Sequence, residues 1–183
     1  MYRAMLLGAF LSAITVAPAA MASQHTEEFR AVFSGFNETG ALNAESGAIL
    51  SDGSATLVLK LDRVAQTLSF SLTYSGLSAP VTQSHIHFGK VHMAGGVMVF
   101  FCSNLASAPA GTQPCPAGGG TVTGTLTAAN VLALAGQNVP AGNFDALADA
   151  LESDTAYANI HTTSFPAGEI RGQVQRSFGG HED

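Results

Sequence analysis

Positive charge is scarce in this sequence. Seven Lys and Arg lie scattered among 183 residues, against thirteen Asp and Glu, for a formal net charge of -6. Nucleic acid and anionic lipid are gripped by clustered basic side chains that neutralise phosphates, so neither partner is expected. Beyond the first residues no apolar run approaches the ~20 residues that a transmembrane helix needs, which predicts no membrane span after processing. There are only two cysteines, Cys102 and Cys115, too far apart in sequence for a catalytic dithiol. No Gly-x-Ser-x-Gly elbow supplies a hydrolase nucleophile. The Gly118-Gly119-Gly120 run lacks the Lys and Ser/Thr of a phosphate loop, and the acids do not gather into a calcium loop.

The start of the chain reads as an export signal. A basic Arg3 precedes an apolar stretch from Ala4 to Ala20, and Ala20-Met21-Ala22 gives a small-x-small cleavage site followed by polar Ser23-Gln24-His25. Residues 1–22 are therefore expected to be a signal peptide and residues 23–183 a single domain with its core over about 29–177. Export places the protein in a periplasmic or secreted setting. Disulfides persist there, so Cys102 and Cys115 are expected to pair and close the Pro- and Gly-rich loop between them.

Period-two alternation dominates the rest. From Thr67 to Ser75, Leu68, Phe70, Leu72 and Tyr74 alternate with Ser and Thr, the pattern of a strand with one buried face. Leu57, Leu59 and Leu61 repeat it over Ala55 to Leu61, and residues 62–66 are short enough to turn a hairpin between the two. Further strands are expected at 28–36, around 47–50, and at 84–88, 96–102, 121–126, 157–162 and 169–177. Two short helices are expected between strands. One is capped by Thr127 and runs over 128–134; the other is capped by Asn143 and runs from Phe144 through Leu151. The fold class is all-β, an antiparallel sandwich or Greek-key barrel with a short helical insertion.

Chemistry is concentrated in the histidines. His85-Ile86-His87 falls on a strand, where alternate residues project to one face roughly 7 Å apart, so both imidazoles can converge on one ion. His161 lies on another strand and shares its face with Tyr157 and Asn159; His92 is a further candidate ligand. With no thiolate to spare, three or four neutral imidazoles suit copper or zinc. The bland alternative is that these histidines are core residues hydrogen-bonded to backbone or to one another. His25 and His181 stand in the terminal segments and receive no role.

A second group is Glu169, Arg171 and Gly172, within Pro166 to Gln173. Alternation puts Glu169, Arg171 and Gln173 on one strand face, where an acid and a cation can form a structural ion pair or a clamp between strands; catalysis is the minority reading. Gly172 suits a close backbone approach. Asn37-Glu38-Thr39 fits a glycosylation sequon.

Four stretches in order, His85-Ile86-His87-Phe88-Gly89, Gly124 to Ala129, Tyr157 to Thr162 and Gly168 to Gln173, make the chain resemble the CHRD domain. That module is named for its repeats in the chordin family and also occurs singly in exported microbial proteins. The resemblance runs from about Phe33 to Val174. It implies an immunoglobulin-like or related β-sandwich of secreted proteins, with no general enzymatic activity. Animal members belong to extracellular regulators that bind growth factors. After His87 the sequence departs from the family pattern, carrying Phe88-Gly89-Lys90-Val91-His92 where many members have Gly-Pro-Ala. The trio His85, His87 and His161 is also similar to the histidine ligands of copper/zinc superoxide dismutases, as an analogy of motif.

Two functions are thus expected from the sequence. The first is a non-enzymatic exported binding or structural module with an unidentified protein partner. The alternative is a copper- or zinc-binding protein, a carrier or a dismutase-like redox enzyme.

Overall fold

The computed structural model describes residues 26–39 and 47–177. The predicted signal peptide, its boundary with the domain, His25 and His181 lie outside the described residues. Nine strands and one helix follow in order: β1 Thr26–Phe33, β2 Ser54–Asp62, β3 Thr67–Ser75, β4 Val81–Phe88, β5 Gly96–Ser103, β6 Gly120–Thr127, α1 Phe144–Glu152, β7 Ala156–Thr162, β8 Ile170–Gln173 and β9 Gln175–Arg176.

They form two antiparallel sheets, ordered β6-β3-β2-β1-β9 and β5-β4-β7-β8, which settles the architecture as a sandwich. The inward positions of the first sheet are those that alternation picks out: Leu57, Leu59 and Leu61 oppose Leu72, Phe70 and Leu68 across the β2–β3 ladder, and the three on β2 have no exposed surface. From the second sheet Ile86, Met98, Phe101, Ala158, Ile160 and Ile170 enter the same core. Burying a large aliphatic side chain contributes about 1.5–3 kcal/mol, so this interleaved layer carries most of the fold's stability. β8 approaches β1 of the first sheet at Gly172, where an added Cβ would stand 2.7 Å from the Val32 carbonyl oxygen and 3.0 Å from the Phe33 ring.

Cys102 and Cys115 are bonded. The loop they close is also held by side-chain amides. Asn104 Nδ2 donates to the carbonyls of Val81 and Cys115, its Oδ1 accepts from the Cys115 N–H, and Gln113 Nε2 reaches the carbonyls of both Phe101 and Thr123. Gln113 thereby joins β5 to β6, the adjoining edges of the two sheets.

Helix α1 starts at Asn143, whose side chain accepts from the Ala146 N–H, and buries Phe144, Leu147, Ala148 and Leu151. Arg63, in the β2–β3 turn, pairs with Asp149 and Glu152 on its exposed side.

Three expected elements differ. Residues 47–50 form no ladder; the segment passes beside Gly35, whose carbonyl accepts from the Ile49 N–H, and among the described residues no strand pairs with it. Only Ala128–Asn130 is helical, as a 3-10 turn. Thereafter Val131 is drawn into the core and Leu132 N–H donates to the Met98 carbonyl, so tertiary partners override helix propensity. The strand expected over 169–177 breaks at buried Val174, whose N–H donates to Ala156. On one side of it the chain belongs to the second sheet and on the other to the first.

Candidate metal centre

The second sheet has two unlike faces. Ala156, Ala158 and Ile160 of β7 face the core, so Tyr157, Asn159 and His161 face outward. Their cross-strand partners are His87, His85 and Gln83 on β4, with Arg171 on β8 opposite Asn159. An outward face of an antiparallel sheet is ordinarily wet, yet His85, His87, Asn159, His161 and Arg171 are all buried. The chain on either side of the sheet covers them. Arg171 Nη2 donates to the carbonyls of Lys90 and Met93 and Nη1 to Thr39 Oγ1, while the Gly95 and Pro166 carbonyls meet two of the imidazoles. The ladder between β4 and β5 shifts register between Ser84 and His85 and again between Ile86 and His87; such bulges re-aim side chains, and here they flank both histidines.

One nitrogen from each of His85, His87 and His161 lies within 4.8 Å of the others. The hydrogen bonds define which nitrogen is bare. His161 donates from Nδ1 to the Pro166 carbonyl at 2.8 Å, leaving Nε2 as a lone pair, and that atom is buried without a partner. His87 donates from Nδ1 to the Gly95 carbonyl at 2.8 Å, so its Nε2 is also an acceptor. The amide oxygen of Asn159 stands 3.1 Å from it; with the one proton of the neutral ring committed to the Gly95 carbonyl, the two acceptors face each other without a proton between them. His85 Nδ1 is buried with no partner. Backbone carbonyls fixing the far nitrogen of an imidazole are the usual second layer of a histidine metal site.

Electrostatics keep the trio neutral. Burial pushes His85 well below the ordinary imidazole range, reinforced by positive charge on His87 or His161. Burial brings His87 down to about 4 against the opposing bond to Gly95, and it lowers His161 as well. The rings pack edge-on or tilted, His85 to His87 and His85 to His161 both at 4.6 Å between centroids. The Phe100 ring meets His85 edge-on at 4.9 Å.

His92 stands apart from this group. It lies exposed at φ 60° in the turn after β4, beside Val91, Asn37, Arg171 and Gln173. The turn is pinned by Arg171 through the Lys90 and Met93 carbonyls, which fixes His92 outside the trio.

Glu169 and Arg171 do not meet as an ion pair. Strand alternation does not reach Glu169, because it precedes the first residue of β8. Its carboxylate accepts from Ser51 Oγ, the Ser78 N–H, Ser78 Oγ and Thr162 Oγ1 at 2.7–2.8 Å. Burial alone would raise its pKa; these donors outweigh burial and hold it below the usual carboxylate range. Arg171 instead lies over the Tyr157 ring, 3.3 Å from its centroid. Glu38 was missed as a member of this layer. It is buried beside Arg171 and Asn159, its Oε1 has no partner, and burial raises its pKa. Only its position in the sequon marked it in the sequence.

The CHRD domain family model matches residues 29–174. No curated protein and no solved structure matches the chain.

Proposed function

This chain belongs to the CHRD domain family, and on that footing we propose that it is an exported, non-enzymatic binding module whose ligand is one copper or zinc ion held by His85, His87 and His161. One observation carries this reading. Two imidazole nitrogens, His85 Nδ1 and His161 Nε2, are buried without hydrogen-bond partners, in a cluster of three histidines that each bring one ring nitrogen within 4.8 Å of the others. A purely structural histidine cluster would satisfy its buried acceptors, since each one left unpaired costs about 1–3 kcal/mol. A metal ion accepts all three lone pairs at once. Nitrogens bonded at ~2.0–2.1 Å to one ion are roughly 3.3–3.6 Å apart, so small ring rotations complete the site.

Ligation requires deprotonated imidazoles, and burial supplies them without a basic neighbour. The Gly95 and Pro166 carbonyls hold His87 and His161 in the tautomer that presents Nε2. Export is supported by the leader sequence and by the Cys102–Cys115 disulfide, which belongs to an oxidising compartment. The covered position of the histidines under backbone favours holding an ion over turning over a substrate. A protein partner for the rest of the domain remains part of this reading.

Elemental analysis of the protein purified from its own compartment, followed by loading with copper or zinc, tests the assignment. Near one ion per chain is expected, falling to none in H85A/H87A with the fold retained by circular dichroism. A wild-type protein that arrives empty and takes up neither ion would remove the metal from this proposal and leave the binding module alone.

A further inference from the structure

We infer that the ion this centre selects is monovalent copper, because its donors are all neutral and the charge stacked against them is positive. This deepens the metal-binding reading and rests on it. Among the described residues no Asp or Glu carboxylate joins the three nitrogens, so the first layer contributes no negative charge. Glu38 is buried beside Arg171 and Asn159 rather than among the histidines. The Arg171 guanidinium sits 3.3 Å from the Tyr157 centroid, and the opposite partner of that ring is His87, parallel within 6° at 4.5 Å. The cation is therefore two ring thicknesses from a candidate ligand. It is buried, so water screens it little.

Two effects then separate a dication from a monocation. The self-energy of an ion in a poorly solvated site grows with the square of its charge, four times larger for Zn(II) or Cu(II) than for Cu(I). Repulsion from Arg171 grows in direct proportion, twice as large. Coordination number points the same way. Zinc on three imidazoles needs water as a fourth ligand, whereas Cu(I) is content with three neutral donors, and three is the number gathered here under a covering of backbone. His92, the one other histidine among the described residues, is held away in its turn.

The experiment is a competition on anaerobic, metal-free full-length protein, with Cu(I) buffered by a chromogenic chelator and Zn(II) buffered by a zinc indicator. Wild type is expected to retain one Cu(I) per chain at free-ion levels where Zn(II) stays unbound. R171Q, which removes the charge, is expected to strengthen Zn(II) binding about tenfold relative to Cu(I), the size of one unit charge acting over this separation. R171K, which keeps the charge, is expected to preserve the wild-type ratio, and a merely structural role for Arg171 would not separate these two variants. Zn(II) bound as tightly as Cu(I) by wild type would overturn the inference while leaving the metal site standing, and this arm needs no variant to fold. R171Q shifting both ions equally would overturn it as well. Failure of both ions to bind would sink the metal-binding reading and this selection with it.

Discussion

The Tyr157 ring and the His87 imidazole are stacked within 6° of parallel, with 4.5 Å between their centroids. The register of the sheet produces this, since the two residues are direct partners on β7 and β4. The Tyr157 hydroxyl accepts from the Gly95 N–H at 3.2 Å, and the Gly95 carbonyl accepts from His87 Nδ1. One peptide segment is thus grasped by both stacked rings.

Y157F keeps the stack and gives up only the Gly95 contact. A loss of about 1 kcal/mol in urea unfolding is expected, with metal stoichiometry unchanged. Y157A removes the plate between Arg171 and His87 and is expected to cost about 3–5 kcal/mol and to weaken metal retention in dialysis. Equal stability of the two variants would refute the role given to the ring.

The metal-free protein should lose stability in mild acid. An unfolded imidazole takes its proton near pH 6.5, while buried His87 does so only at about 4. Between those values the unfolded state binds more protons, so stability is full above about pH 6.5 and declines as pH falls through 4. His87 alone corresponds to roughly 3 kcal/mol over that window, and His85 and His161 act in the same direction. Urea unfolding at pH 7.5 and pH 4 checks this. H87Q should show a shallower decline than wild type, and identical slopes would contradict the buried, neutral assignment.

Removing the disulfide should weaken the fold without releasing its loop. C102S/C115S is expected to cost about 3 kcal/mol, from the unfolded-state entropy of a loop this size. Asn104 and Gln113 still tie the loop to β4, β5 and β6, so protease sensitivity between residues 103 and 114 should rise mainly when N104A or Q113A is added. A double serine variant cleaved there as readily as the triple variant would show that the amides hold nothing.

Much of the sandwich was legible because its cause is local. Leu68, Phe70, Leu72 and Tyr74 alternate with hydroxyl residues, and β3 spans Thr67–Ser75 as that alternation demands. Helix α1 was readable from Asn143 and the spacing of Phe144, Leu147 and Leu151 for the same reason. His85 and His87 were visible as a pair because strand geometry puts alternate residues on one face. What remained hidden depends on distant partners. The 128–134 segment has the composition of a helix, and past Asn130 the Met98 carbonyl and the core behind Val131 hold it extended. Glu169 looks like the partner of Arg171 until Ser51, Ser78 and Thr162 are found around it. The carbonyls of Gly95 and Pro166, which decide the imidazole tautomers, carry no mark in a sequence because every residue has one.

The sheet switch at Val174 has a mechanical consequence. β8 belongs to the histidine-bearing sheet and β9 to the other, with one buried residue between them. The two layers therefore cannot slide or peel apart without tearing a strand from one of them. Amide protons of β7, beside the proposed metal site, and of β1, in the opposite sheet, should exchange with solvent through one shared opening event, so an ion gripped by the histidine-bearing sheet would slow exchange in both.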